Sequence, residues 1–166
     1  MKEINVKELE GNIFKMLDDD WMLVTASDGE KVNTMTASWG GTGILWNKPV
    51  AFVFIRPQRY TYEFTEKNEK MTLTFFGGEK RKALQYCGTK SGRNCDKIKE
   101  AGLIAQDMGE GLYTFEDAEV TLICRKIYTD MIKPENMIDD SIMKSYPKND
   151  FHKVYICEIE KVFVKE

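Results

Sequence analysis

The chain has 166 residues, of which 42% are hydrophobic and 31% charged, and this balance predicts one globular domain spanning residues 1–166. A formal net charge of −3 argues against nucleic-acid binding, which usually requires a basic face, and no apolar run approaches the ~20 residues of a membrane helix. The N-terminus has no signal-peptide pattern, so we expect a cytoplasmic protein that binds neither nucleic acid nor membrane.

The first forty residues combine a helical period with a strand period. Apolar residues recur every three to four positions from Val6 to Leu17, which predicts a short N-terminal helix or helical turn that Gly11 weakens. Segment 21–39 then predicts a β-hairpin, with a first strand from Trp21 to Thr25 and an Asp-Gly turn within residues 27–29.

The second strand of this hairpin, VNTMTASWGG, carries polar groups on both faces. Alternation places Val32, Thr34, Thr36 and Ser38 on one side, and Asn33, Met35, Ala37 and Trp39 on the other. Two threonines and a serine, followed by Gly40 and Gly41 where backbone can approach a ligand closely, are typical of the wall of a binding site.

The middle of the chain alternates strands with helices. A buried central strand is predicted for PVAFVFIRP, a helix beginning after Pro57 for RYTYEFTEKNEK, and a strand ending at two glycines for MTLTFFGG. Two short helices, each closed by a glycine, are predicted for EKRKALQYCG and NCDKIKEAGL, with the loop GTKSGR between them.

The last third is predicted to complete an antiparallel sheet with two long alternating stretches, LYTFEDAEVTLICRKIYTDMI and HKVYICEIEKVFV. The polar connection between them, residues 133–150, is long for a barrel loop and is a lid, a dimer contact or a mobile segment. Five to seven strands with helices inserted between them predict a closed or nearly closed antiparallel β-barrel. Because a small barrel is filled by side chains, a ligand would bind outside it, against a helix or a second subunit.

Two clusters of cations and hydroxyls are suited to a phosphate. The first lies where the central strand meets a helix, and the second lies in the glycine-punctuated loop GTKSGR, which lacks the Walker spacing. The first comprises Arg56, Arg59 and Thr61, and the second comprises Lys90, Ser91, Arg93 and Lys97. The alternatives are surface arginines paired with carboxylates and a solvated basic loop.

The cysteines and the single histidine, His152, give little material for other chemistry. Cys87, Cys95, Cys124 and Cys157 have no CxxC spacing. We interpret the cysteines mainly as small apolar side chains and predict neither a metal site nor a Cys/His nucleophile. His152 is interpreted as a residue that caps a sheet edge or bonds a backbone carbonyl, and Trp39 and Trp46 as core or interface aromatics.

Taken in order, the motifs resemble those of the flavin reductase-like, FMN-binding split-barrel family, over roughly residues 18–164. They are VNTMTASWGG, KPVAFVFIRPQRYT, the CGTKSGRNCDK loop leading to AGL, and HKVYICEIEKV. The chain looks like a small flavoredoxin-type member. The resemblance implies a mainly β fold, a split antiparallel β-barrel with inserted helices, and FMN as the cofactor.

The resemblance also implies roles for individual residues. The isoalloxazine ring would lie along Asn33, Thr34, Met35, Thr36, Ala37, Ser38 and Trp39, with His152 near it. The phosphate would be held by Arg56, Arg59, Tyr60 and Thr61. A loop that closes over the cofactor would contain Lys90, Ser91, Arg93 and Lys97. Arg59 and Thr61 are the first choices for the phosphate. Whether Lys90 or Lys97 reaches the flavin stays open.

The activity implied is that of an NAD(P)H-dependent flavin reductase, a homodimer with FMN at the subunit interface. NADH or NADPH would donate a hydride to N5 of the flavin, and a flavin, an electron-transfer protein or a metal complex would receive the electrons. No side chain need act as acid or base, so no catalytic residue is predicted.

Other activities remain open. With no GxGxxG motif after a parallel strand, the nicotinamide would have to stack directly on the flavin, and a reduced protein such as a ferredoxin could replace it as donor. The remaining alternatives are an oxidase of the pyridoxamine-phosphate type and a non-catalytic flavin- or haem-binding split barrel, the haem resting on His152. The acidic balance argues against an oligonucleotide-binding barrel.

Overall fold

A computed structural model describes residues 1–166 and consists mainly of β-strands. The strands are β1 (Lys2–Ile4), β2 (Met22–Ser27), β3 (Val32–Ala37), β4 (Gly40–Leu45), β5 (Lys48–Ile55), β6 (Lys70–Phe75), β7 (Ala105–Gly109), β8 (Leu112–Phe115), β9 (Val120–Met131) and β10 (Lys153–Val164). The α-helices are α1 (Ile13–Lys15), extended by a wider turn at Met16–Asp20, α2 (Tyr60–Lys67), α3 (Arg81–Thr89) and α4 (Lys97–Glu100). Short 3₁₀ turns lie at Val6–Glu8, Pro134–Asn136 and Asp140–Ser145.

Eight strands form one antiparallel sheet in the order β3-β2-β6-β9-β10-β5-β4, with β1 paired to β10, and β7 and β8 form a separate hairpin. The mainly β antiparallel fold is therefore confirmed, but the prediction of five to seven strands is wrong. Strand β1 has three residues, β4 contains three glycines, and β7 is almost wholly exposed. None of these three strands presents the alternating apolar side chains by which strands are recognised in a sequence.

The sheet is split between β3 and β4. These two strands follow one another in the chain, joined by Ser38 and Trp39, yet each lies at an opposite end of the strand order. Each therefore has one edge whose backbone N–H and C=O groups meet no neighbouring strand. The polar segment of β3 ends at this split.

Two hydrophobic clusters hold the fold together. The larger cluster fills the barrel, where Val24, Val53, Met71 and Leu122 are at most 1% exposed. The smaller cluster lies between the sheet and α3 and includes Leu84. Because the interior is packed with side chains, the space available to a ligand lies outside the barrel.

Glycines shape the helices at two places. The N-terminal segment forms short helical turns on either side of Gly11, as one form of the prediction had it, because Gly11 adopts φ +130° and the Asn12 side chain then caps a new helix by accepting N–H bonds from the next turn. Helix α3 was predicted to close at Gly88 but continues to Thr89. A Cβ at Gly88 would lie 3.4 Å from Thr36, so the glycine allows α3 to approach β3 closely.

The other helix boundaries follow the sequence signals. Helix α2 begins shortly after Pro57, and α4 is followed by Gly102 in the left-handed region, at φ +69°. No helix has both the length and the apolar character that crossing a membrane requires.

Candidate functional site

A cleft of about 190 Å³ opens at the split, where the end of β3 faces the end of β5 and the start of β10. Its walls are formed by Met35, Thr36, Ala37, Ser38, Trp39, Phe54, Arg56, Arg59 and His152. All of these except Phe54 were predicted as cofactor-binding residues. Alternation along β5 was the available signal for Phe54, since it places this ring on the opposite face from the buried Val53 and Ile55.

Most polar side chains of β3 bond other parts of the fold. The Thr36 hydroxyl donates to a backbone carbonyl of α3, the Asn33 amide donates to Thr61 Oγ1 at 2.8 Å, and the Thr34 and Thr25 hydroxyls are 2.9 Å apart. Thr34 and Thr61 are at most 1% exposed, and neither lines the cleft. The position of Thr61 therefore does not support direct contact of its hydroxyl with a phosphate. Its bond to Asn33 fastens α2 to β3.

Two of the predicted cofactor-binding arginines are paired with carboxylates. Arg56 donates to Asp150 and also to the Ser145 carbonyl at 2.9 Å. Arg93 donates to Glu63 and lies over the Tyr60 ring, with its guanidinium carbon 4.8 Å from the ring centroid. For Arg56 this is the alternative of a surface arginine paired with a carboxylate, and Arg93, for which the alternative was a solvated loop, is paired in the same way.

Arg59 and Lys97, in contrast, form no ion pair. Arg59 donates to the Gly88 carbonyl at 2.8 Å, and Lys97 Nζ donates to the carbonyls of Cys87 at 3.0 Å and Lys90 at 3.2 Å. Both cations thus meet the C-terminal end of α3, whose aligned carbonyls carry only about half a unit of negative charge. Positive charge therefore remains uncompensated at this turn.

The environment of Lys97 disfavours its charge. The side chain is 4% exposed, and burial, reinforced by the charge of Arg59, lowers the pKa of Lys97 to about 8. Asp96, its neighbour in the chain, is occupied in capping α4 and accepts the Lys99 N–H at 3.2 Å. Burial likewise lowers the pKa of Arg59, with Arg56 contributing to the same effect. A strongly perturbed cation with no counter-ion is a common mark of a functional site.

The other loop residues lie differently. Lys90 is exposed and Ser91 half-buried, and the Ser91 hydroxyl accepts the Arg93 N–H at 3.3 Å. Gly92 packs so closely on Asn33 that a Cβ there would collide with its side-chain oxygen. The loop is therefore closed against β3.

A second and larger cleft, of about 1010 Å³, lies on the other side of this loop. Four predicted residues line it: Asn33, Tyr60, Arg93 and Lys97. The Tyr60 ring packs edge-on against Phe64, 4.9 Å between centroids. The predicted residues therefore divide between two clefts, with Arg59 in the first and Lys97 in the second, and both of these side chains bond carbonyls of the turn at residues 87–90.

His152 supplies a neutral polar group at the aromatic end of the first cleft. The ring is 8% exposed, its centroid is 5.2 Å from that of Trp39, and its Nδ1 is 2.8 Å from the Tyr146 hydroxyl. Burial, with the charge of Arg56, lowers the pKa of His152 to about 4, so the imidazole is neutral at neutral pH. The imidazole therefore bonds a tyrosine hydroxyl, whereas one interpretation of the sequence expected a bond to a backbone carbonyl. The only signal for Tyr146 in the sequence is an aromatic residue in a polar connection, which does not predict a role at the cleft.

Exposed apolar residues continue outward from the cleft. Trp39 is 48%, Ile44 70% and Trp46 56% exposed, and the Trp46 and Tyr128 rings lie 6.1 Å apart. The interpretation of Trp39 and Trp46 as core aromatics is therefore wrong, and the interface interpretation remains. An apolar band at a sheet edge is a recurrent feature of protein interaction surfaces.

A model of the flavin reductase-like domain matches residues 19–166. The chain has no match among curated proteins. The flavoredoxin of Desulfovibrio vulgaris (Miyazaki F) has a TM-score of 0.68 at 22% identity, covering 89% of this chain and 70% of that one. Flavoredoxin from Methanosarcina acetivorans gives 0.67 at 20%, covering 89% and 69%. An FMN-binding domain of a flavin reductase-like enzyme from Shewanella baltica gives 0.69 at 17%, covering 98% and 76%. These likenesses confirm the split-barrel fold.

Proposed function

Because this chain belongs to the flavin reductase-like domain family, we propose that it is an FMN-binding oxidoreductase. NADH or NADPH is the proposed hydride donor, and a flavin, a protein or a metal complex is the proposed acceptor. FMN when bound supplies the redox chemistry, and the protein binds it, orients it and excludes water.

The uncompensated pair Arg59 and Lys97 is the observation that carries this proposal. Both side chains are at least partly buried, and each donates only to backbone carbonyls. Holding two cations out of water without a counter-ion is unfavourable, and a phosphate dianion would relieve that cost through charge-assisted hydrogen bonds. Arg56 and Arg93 already have carboxylate partners, so they add less to phosphate affinity.

The ring of FMN is assigned to the end of the first cleft that is lined by Trp39, Phe54 and His152. Aromatic side chains there match the flat, apolar faces of a flavin, and the imidazole is a polar group for its edge. The free edge of β3 adds backbone N–H and C=O groups that pair with no other strand. In this assignment the β3 side chains fasten α2 and α3 in place, and its backbone meets the ring.

A second copy of the chain is the proposed cover for the open side of the cleft. The apolar band of Trp39, Ile44 and Trp46 begins at the cleft and follows β4, an edge strand. Burying these side chains contributes about 25 cal/mol per Å² of apolar surface, which favours association. The proposed assembly is a homodimer in which the FMN ring lies next to the interface.

Absorption spectroscopy tests the function. The purified protein is loaded with FMN, freed of excess cofactor, and treated anaerobically with NADH and then with NADPH. Bleaching of the flavin bands by either nucleotide supports a nicotinamide-dependent reductase. Bands that persist contradict the nicotinamide donor and favour a carrier fed by a reduced protein or a flavin-storage protein.

Matched arginine variants test the phosphate site. Arg59→Met should weaken FMN binding, whereas Arg93→Met removes an arginine that is already paired with Glu63 and should change affinity little. Failure of the wild-type protein to bind FMN at all would overturn the proposed function.

A further inference from the structure

Tyr146 is the one buried residue in the otherwise exposed or half-exposed connection 133–150, with 3% of its surface exposed. Its ring lies under the Arg56 guanidinium, 5.1 Å from carbon to centroid, and 4.9 Å from the Phe151 ring. Arg56 is itself held by Asp150 and by the Ser145 carbonyl. The tyrosine hydroxyl is therefore fixed in position from several sides.

The direction of its hydrogen bond to His152 follows from the partners available. The Tyr146 hydroxyl has no partner other than His152 Nδ1, at 2.8 Å. If Nδ1 carried the proton and donated it, the phenolic proton would be left buried without an acceptor, which is costly. If Tyr146 donates instead, both groups are satisfied, and the proton of the neutral imidazole resides on Nε2. That nitrogen has no partner within the chain, and His152 lines the first cleft.

The surrounding charges keep both groups in these states. Burial is the largest influence on His152 and, with the nearby Arg56, lowers its pKa, while Asp150 acts in the opposite direction with less effect. Burial raises the pKa of Tyr146, so the phenol keeps its proton. Near neutral pH the pair therefore holds one phenolic and one imidazole proton.

We propose that Tyr146 is a positioning residue that holds His152 as the Nε2–H tautomer, so that the cleft presents a neutral N–H donor to an acceptor atom of its ligand. The proposal rests on the proposed function in identifying that ligand as the flavin or its hydride donor. A carbonyl oxygen or an unprotonated ring nitrogen is the matching acceptor. The aromatic contacts of Trp39 and Phe54 fix the plane of the imidazole, and Tyr146 fixes where its proton lies.

The test uses the fact that His152 is the only histidine. Nitrogen-15 NMR of histidine-labelled protein without cofactor reports the protonation of each ring nitrogen without ambiguity of assignment. The expected spectrum at neutral pH has an unprotonated Nδ1 and a protonated Nε2. A protonated Nδ1 would overturn the proposal in the wild-type protein alone, whatever the variants do.

Tyr146→Phe removes the hydroxyl and keeps the ring. We expect its ratio of Nε2–H to Nδ1–H tautomer to fall by about three- to tenfold, the range for one lost hydrogen bond. Tyr113→Phe is the control, because the Tyr113 hydroxyl makes no hydrogen bond and lies on β8, and its spectrum should match the wild type. An unchanged tautomer ratio in folded Tyr146→Phe would contradict the positioning role.

Kinetics then connect the tautomer to the reaction. In FMN-loaded Tyr146→Phe, the rate of flavin reduction should fall in proportion to the measured loss of the Nε2–H tautomer while FMN affinity stays close to that of the wild type, and Tyr113→Phe should keep both. Reduction at the wild-type rate would count against the role of the donor. The tautomer measurement needs no cofactor, so a protein that fails to bind FMN but shows the expected tautomer would overturn the proposed function and leave the Tyr146–His152 relation standing.

Discussion

Replacing Lys97 by methionine distinguishes the effect of this buried charge on protein stability from its effect on FMN affinity. The pKa of Lys97 is lowered to about 8 from 10.5, so keeping the charge in the fold below that pH costs about 3 kcal/mol. The bonds to the carbonyls of Cys87 and Lys90 return about 1.5–3 kcal/mol each. Methionine removes both the unfavourable burial of the charge and the two hydrogen bonds. We therefore expect the free energy of unfolding of Lys97→Met to stay within about 3 kcal/mol of the wild type.

The effect on FMN affinity should be separate. Loss of one charge-assisted bond to a phosphate, worth about 1.5–3 kcal/mol, corresponds to about 10- to 100-fold weaker binding. Lys90→Met is the matched control, since Lys90 is exposed and contributes its carbonyl, not its ammonium group, to the turn. Its affinity should stay within about twofold of the wild type, the small effect of a solvent-exposed charge.

Titration of FMN followed by quenching of flavin fluorescence measures both variants, with urea unfolding as the stability control. In the free protein Lys97 loses its proton above pH about 8, whereas in the unfolded chain it keeps it to about 10.5. Wild-type affinity should therefore decline above pH 8, and Lys97→Met should lack this decline. The assignment of the phosphate to Lys97 would be refuted if Lys97→Met bound FMN as tightly as the wild type, or if Lys90→Met lost more FMN affinity than Lys97→Met.

Three further predictions concern stability and assembly. In the unfolded chain His152 is protonated as the pH falls below its ordinary pKa of 6.5, whereas in the folded protein its pKa is about 4. The free energy of unfolding of the wild type should therefore fall by about 3 kcal/mol as the pH is lowered from 6.5 to 4. In urea unfolding, His152→Gln should lack this pH-dependent loss of stability, and identical pH profiles of the variant and the wild type would contradict the prediction. Gly92→Ala should lower the free energy of unfolding by about 1–3 kcal/mol, because the added methyl collides with Asn33, and a neutral effect would show that the loop is not packed there. Ile44→Asp should convert a dimer into a monomer in analytical ultracentrifugation, whereas Ile104→Asp, 60% exposed elsewhere, should not; a monomeric wild type would sink the dimer.

Elements with a regular pattern could be predicted from the sequence. The hairpin of β2 and β3 was evident from alternation and an Asp-Gly turn, and β5 from a β-branched run between two prolines. Strand β4 was missed because three of its six residues are glycines, so its strand conformation comes from pairing with β5 rather than from its own side chains. Helix α3 continues past Gly88, because this glycine serves close packing of the helix on β3 and does not end the helix.

The sequence also identified most of the residues around the first cleft, through the polar run of β3, the arginines that follow β5 and the resemblance to the flavin reductase-like family. It could not say which of the cations are neutralised. Arg56 is paired with a carboxylate 94 residues away, and Arg93 with one 30 residues away, whereas Arg59 and Lys97 have none. Ion pairing depends on a few ångströms of separation, and only the packing of distant segments determines that.

By itself, then, the sequence determined the period of each strand, the polar character of β3, and the motifs of the flavin reductase-like family. Tertiary structure alone decided that the polar side chains of β3 hold helices, that Lys97 and not Lys90 is the buried cation, and that Arg56 is paired with Asp150. The physical reason is one of range. Periodicity and turn chemistry act between residues close in the chain, whereas burial, charge compensation and the position of a proton depend on which segments the completed fold brings together.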